Sequence, residues 1–171
     1  MDLVFQSSLP HQYREPLERL VFFNPNQISM QAAIAHALDL YGAPAVALEP
    51  AGLTVRIQGC PHAQCLFALE PAARTVDPLL AGMLVYVRTG IEELLVLHIA
   101  VSEVHGRTRR SGLGVAMRLI RELRAAARRL RGIRWIRLLY TGDRQFQIRI
   151  GSTAEGAAAH EPAREWARLV S

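Results

Sequence analysis

Between Arg107 and Leu119 the chain reads RTRRSGLGVAMRL: four arginines, the glycine pair Gly112 and Gly114, and then an unbroken apolar pattern. Such a stretch has the parts of an anion site. A helix start carries unpaired N–H groups and the positive end of a dipole. Glycine lets a backbone approach phosphate oxygens, and arginine adds charge-assisted bonds. A solvated loop or a nucleic-acid patch would use the same residues. Upstream, His98 sits in the apolar run LLVLHIAV, where a side chain that titrates near neutrality is a candidate general base. Its ordinary alternative is a histidine satisfied inside a sheet. Glu103 could act through water or simply answer the arginines. Tyr140 could donate a proton or pack at a rim. CPHAQC offers Cys60, His62 and Cys65, three ligands where structural zinc closes with four, so no metal is expected.

These residues need a scaffold. LVFQSS (Leu3–Ser8) suggests a first strand, EPLERLVFF from Glu15 a short helix with Pro16 in its first turn, and SMQAAIAHALDLYG a second helix. In the second helix Ser29 would be the cap, Ile34, Ala37, Leu38 and Tyr41 the apolar face, and Gly42 the stop. LTVRIQ (Leu53–Gln58) and CLFALE (Cys65–Glu70) look like the arms of a hairpin. AGMLVYVRTG and EELLVLHIAVS read as adjacent antiparallel strands, the second apolar enough for a sheet centre. On this register His98 points opposite to Leu97 and Ile99. The clearest helix follows, with Leu113, Ala116, Leu119, Ile120, Leu123, Ala127 and Leu130 on one face and Gly132 as its end. IRWIRLLY (Ile133–Tyr140) and QFQIRIGS are strands around a Thr141–Gly142–Asp143 turn, and a short helix is expected from about Pro162.

The block LLVLHIAVSEVHGRTRRSGLGVAMRLIRELRAAARRLRGIRWIRLLY resembles the central part of the GNAT superfamily of acyl-CoA-dependent N-acyltransferases. There a central strand leads to an Arg/Gln-x-x-Gly-x-Gly/Ala loop, a helix, and a strand splayed from the first. Arg109, Gly112 and Gly114 match that loop, and Leu113 fits the aliphatic residue between the glycines. The likeness extends from Cys65 to Tyr140. It implies a mixed α/β, α+β-type fold with a twisted, mostly antiparallel sheet, flanking helices and splayed central strands. It also implies acetyl-CoA, or another acyl-CoA, as cosubstrate. Backbone N–H groups of Arg109, Arg110, Ser111, Gly112, Leu113 and Gly114 would hold the pyrophosphate. The strand edge at Ile99, Ala100 and Val101 would pair with the pantetheine arm. A small-molecule or peptide amine would attack the thioester directly, with His98, Tyr140 and Glu103 as candidate proton carriers and backbone donors stabilising the oxyanion. Two departures stand out: EVHGRT is about three residues longer than the family's connection, and the family's helix after Tyr140 is missing. That second departure admits a domain that binds CoA without catalysis, as a sensor or interaction module.

The 171 residues suit one domain, 1–171, with a globular composition, half of it hydrophobic. All twenty basic residues are arginine, eleven of them between Arg107 and Arg137 beside the single acid Glu122. That density attracts anions without naming one. An arginine-helix nucleic-acid module is the rival reading, but with aromatics at 6% no stacking platform is visible. The N-terminus lacks a basic region and a long apolar run, and no stretch approaches the ~20 apolar residues of a membrane span. A cytoplasmic location is therefore expected, with no membrane partner and with the oligomeric state open, a homodimer included.

Overall fold

The computed structural model describes residues 2–71, 77–106, 109–139 and 146–150; of residues 109–112 it describes the backbone alone. Six strands make the main sheet: β1 (Val4–Gln6), β4 (Gln64–Glu70), β5 (Leu79–Arg88), β6 (Glu93–Val101), β7 (Trp135–Leu138) and β8 (Phe146–Arg149), in the order β1-β4-β5-β6-β7-β8. Every neighbouring pair is antiparallel except β6 and β7, which are parallel. A parallel pair needs a crossover. Here it is built from α3 (Glu103–Gly106) and α4 (Arg109–Ala127). This is the expected mixed α+β class.

A separate two-stranded sheet, β2 (Pro44–Glu49) with β3 (Gly52–Ile57), precedes β4. The hairpin expected between 53–58 and 65–70 is therefore corrected. β3 pairs with β2 across the turn Pro50–Ala51, and β4 lies between β1 and β5. β3 still packs on the main sheet, tied to Leu9 by two backbone hydrogen bonds of 2.9 and 2.7 Å. It also meets the buried Cys65, whose sulfur accepts from the Val55 N–H and donates to the Val55 carbonyl, both at 3.3 Å. Burial pushes that thiol's pKa up. Cys65 thus belongs to the core, whereas His62 is exposed. Among the described residues no group of three His, Cys, Asp or Glu is placed to hold a metal.

Each face of the sheet carries its own core. On one side α1 (Arg14–Phe22) buries Leu17, Leu20 and Val21, spaced i, i+3, i+4, against Phe67, Met83, Val85, Leu95 and Leu97. On the other, α4 buries Val115, Leu119, Ile120 and Leu123 against Leu84, Leu94, Val96, Ile136 and Leu138. The helix packs close because Gly82 lies beneath it. A Cβ there would stand 2.8 Å from the Ala100 carbonyl oxygen and 3.0 Å from Val115 Cγ1.

Two helix limits here differ from the sequence reading. The chain enters α2 (Gln31–Tyr41) through a 3-10 turn, Pro25–Met30, so Ser29 lies within helical backbone and is not the cap. The Gly42 stop is as expected, at φ 82°, with its N–H on the Leu38 carbonyl at 2.8 Å. α4 ends at Ala127, and Leu130 is exposed. Gly132, at φ 88°, instead turns the chain toward β7, a conformation that glycine adopts without strain. The Thr141–Gly142–Asp143 turn and the helix expected from Pro162 lie outside the described residues. No helix among those described is long and apolar enough to cross a membrane.

Candidate functional site

β6 is the strand on which the expected site depends, and its two halves are paired differently. From Glu93 to Val96 it is hydrogen-bonded on both edges, with β5 on one side and with Trp135–Leu138 of β7 on the other. The last link to β7 runs from the Leu139 N–H to the Val96 carbonyl at 3.1 Å. Beyond it the register with β5 slips: Tyr86 pairs with Val96 and Val85 with His98. Leu97 is thus the extra residue of a β-bulge. Bulges re-aim side chains and end pairing, and this one does both. From Leu97 to Val101 no described strand pairs with the β7-side edge.

The bulge corrects the expected direction of His98. Leu97 belongs to the core under α1, and His98 is paired with Val85 of that same core, so both face one side. Ile99 then packs on the α4 side. His98 is partly buried and meets Gln27 from the 3-10 turn, with Gln27 Nε2 3.0 Å from His98 Nε2. An amide nitrogen only donates, so the Nε2 lone pair accepts and the neutral ring carries its hydrogen on Nδ1. Desolvation by the surrounding packing lowers the histidine pKa to about 4.

Backbone groups on the open edge follow from the ladder. The Ser102 N–H bonds the Ala81 carbonyl at 2.9 Å, and antiparallel pairing alternates from there. Ala100 therefore turns its backbone groups toward Met83 of β5, whereas Ile99 and Val101 turn theirs outward. Of the three residues expected to meet a pantetheine arm, only Ile99 and Val101 present edge groups. One of these is already engaged, since Asn24 Nδ2 donates to the Val101 carbonyl at 2.8 Å. Asn24 is 9% exposed. Asn24 and Gln27 thus span the open half of β6 from above, holding Val101 and His98.

The expected glycine loop is also corrected. α4 begins at Arg109, so Gly112 and Gly114 are helical residues. In the first turn the N–H groups of Arg109, Arg110 and Ser111 lack intrahelical acceptors, whereas those of Leu113 and Gly114 turn into the helix. Of the stretch expected to hold an anion, only that first turn offers such groups. Among the described residues nothing lies within 4 Å of a Cβ built on Gly114. Leu113 is half-buried toward the α4 core.

Glu103, read as the end of the strand, is instead the exposed first residue of α3. The longer EVHGRT connection accommodates this extra turn of helix. Tyr140 lies outside the described residues. A groove of about 1100 Å³ opens beside the end of β6, lined by α1, Asn24, residues 77–80 and Ser102–His105. Here a cluster absent from the sequence reading appears, with Ser102 Oγ 2.7 Å from His105 Nδ1 and His105 Nε2 2.8 Å from Glu70 Oε2. The Ser-x-x-His spacing is visible in the chain, but nothing in it links that pair to Glu70.

No family model matches this sequence, and no curated protein matches it. Among solved structures, it is similar to an IAA acetyltransferase from Bacillus cereus ATCC 14579, at 15% identity and a TM-score of 0.42 over 80% of this chain. The chain spans 65% of that protein's length. It is similar too to a provisionally named acetyltransferase of the GNAT family from Desulfovibrio desulfuricans, at 18% identity and a TM-score of 0.42, covering 80% of this chain and 72% of that one. Overlays this partial carry no functional weight, and the site rests on the strands themselves.

Proposed function

We propose that the chain binds acyl-CoA along the open half of β6 and transfers the acyl group, an acetyl in the simplest case, to an amine. The observation that carries this reading is the parting of β6 from β7 after Val96 and Leu138, with a bulge at the point of parting. Past that point Ile99 turns its backbone N–H and carbonyl outward, and Val101 its N–H, toward the path of a pantetheine arm, the Val101 carbonyl being held by Asn24. The first turn of α4 then lies beyond the strand end to meet the pyrophosphate. The thioester would sit in the gap near Leu97, where a bulge leaves the extra residue outside the ladder and its amide available to an oxyanion.

The acceptor attacks as a free amine. His98 stays neutral throughout the physiological range, so protonation never removes its lone pair. The same low proton affinity makes it a weak base, which holds a proton only in passing. To use Nε2, an incoming amine must displace the Gln27 amide. Glu103, on the exposed rim of the groove, is placed for solvent exchange at most.

A specific observation supports the non-catalytic CoA-binding reading beside this one. β8 follows β7 antiparallel after only residues 139–145, whereas the family resemblance places a helix, and its proton donor, between those strands.

Val101→Pro tests the binding geometry. It deletes an outward N–H that β5 does not use, a position at which a strand tolerates proline. Titration calorimetry should show acetyl-CoA affinity falling at least about ten-fold, near 1.4 kcal/mol, with the melting profile retained. Unchanged affinity overturns the edge-binding reading. Thiol release with a panel of amines then separates the enzyme from the binding module.

A further inference from the structure

At the far end of β6 the side chains of Ser102, His105 and Glu70 form a continuous chain of hydrogen bonds whose direction, for a neutral imidazole, the carboxylate sets. The Glu70 carboxylate accepts only, so His105 Nε2, at 2.8 Å, carries the hydrogen. The neutral ring then has its lone pair on Nδ1, and the Ser102 hydroxyl, 2.7 Å away, donates to it. A hydroxyl, a base that takes its proton and a carboxylate that sets the base's tautomer are the parts of an activated serine nucleophile. Here the two ring nitrogens are exchanged relative to the usual serine-hydrolase order.

Ser102 caps α3: its carbonyl takes the N–H groups of His105 and Gly106, at 3.1 and 2.8 Å, while its hydroxyl hydrogen goes to the imidazole. His105 is only 5% exposed, while both it and Ser102 line the groove. The base is thus screened from bulk water, and the groove leads to the serine.

We propose that Ser102 is a nucleophile that accepts an acyl group from carboxylic esters entering this groove. In acylation the Ser102 Oγ–carbon bond forms and the ester carbon–oxygen bond breaks. The serine proton passes through His105 Nδ1 to the leaving alcohol. In deacylation water adds to the acyl carbon, its proton is taken by Nδ1 and returned to Oγ, and a carboxylic acid leaves. The groove's charge selects the substrate class. Among the described residues that line it, Glu15 and Glu18 are paired with Arg19 and Arg14 at 2.9 and 3.0 Å, and Gln12 donates to Asp77 at 2.8 Å, a lining that suits uncharged esters. Leu20, Phe23 and Leu80 provide an apolar wall. Ser102 lies five residues beyond Leu97, about 17 Å along an extended strand, so this chemistry is separate from the acyl-transfer gap.

The test uses the whole chain and no CoA. A fluorophosphonate probe should add once, at Ser102, as read by intact mass and peptide mapping. The adduct should abolish release of p-nitrophenol from p-nitrophenyl acetate. Glu70→Gln should slow labelling at least ten-fold. Losing a buried imidazole can unfold the end of β6, so Ser102→Ala, which keeps the His105–Glu70 pair, is the deciding variant. It should lose hydrolysis while keeping its melting temperature and its acetyl-CoA affinity. If no adduct forms on Ser102, or the alanine variant hydrolyses the ester at the wild-type rate, the cluster is a tether between the ends of β4 and β6 and the proposal fails. Acetyl-CoA binding, measured in parallel, reports on the acyltransfer reading independently.

Discussion

The two halves of β6 share one strand, yet they differ in almost every physical respect. From Glu93 to Val96 both edges are paired and Leu94, Leu95 and Val96 are buried. The Arg137 guanidinium reaches across to Glu93 at 3.0 Å. From Leu97 to Val101 no described strand pairs with one edge, and the described side chains that reach this half are polar: Asn24 on the Val101 carbonyl and Gln27 on His98. The first half is built like the interior of a sheet. The second turns backbone groups away from β5 toward side chains, at a cost in local stability, as binding surfaces do. On the proposed reading one strand supplies both the frame and the slot, and the bulge at Leu97 is the boundary between them.

The sharpest way to break this contrast is to hollow out the paired half. Ile136 is fully buried, facing Leu94 across the parallel ladder and Ile148 on β8. Ile136→Ala should cost about 2–5 kcal/mol in denaturant unfolding. A loss below about 1 kcal/mol would mean that the β6–β7 pairing does not hold the sheet together.

His98, at the boundary, makes the contrast depend on pH. Folded, it takes up a proton only near pH 4; its ordinary value is 6.5. Between those values the unfolded chain binds more protons than the folded one. Stability should therefore fall as pH drops from about 6.5 to about 4 and then level off, by up to about 3 kcal/mol from this group. In His98→Asn that part of the slope should vanish from urea titrations across the window. An identical slope in the variant would place the histidine in water and detach it from Gln27.

What the sequence made legible follows the same boundary. The β5–β6 pair and α4 announce themselves through long apolar runs and a sustained 3.6 period, and the central place of LLVLHIAV follows from its lack of polar residues. The bulge leaves no such trace. One extra residue in an unbroken apolar run looks like any other, so strict alternation assigns His98 to the wrong face. PAVALE, short and opened by proline, is a weak strand beside LTVRIQ, and the stronger CLFALE competes with it for that partner. The start of α4 was hidden because glycines suggest a loop, whereas tertiary packing extends the helix through them. Glu70 and His105 are 35 residues apart, and only the parallel course of β4 and β6 brings the ends of those strands together. Non-local polar contacts of this kind have no period to detect.

The smallest test probes how the paired half is locked. Arg137 and Glu93 are each more than a quarter exposed, at 29% and 26% of the side chain, so water screens much of their attraction. Exposed pairs of this sort contribute about 1 kcal/mol or less. Glu93 also accepts from Thr89 Oγ1 at 2.8 Å, which holds the turn before β6 and survives in the amide. Glu93→Gln should therefore lower unfolding free energy by less than about 1 kcal/mol and leave acetyl-CoA affinity untouched, because the pair lies on the far side of the bulge from Ile99 and Val101. A variant that kept its stability but lost affinity would show that the charge pair sets the angle at which β7 leaves β6, making the frame and the slot a single mechanical unit.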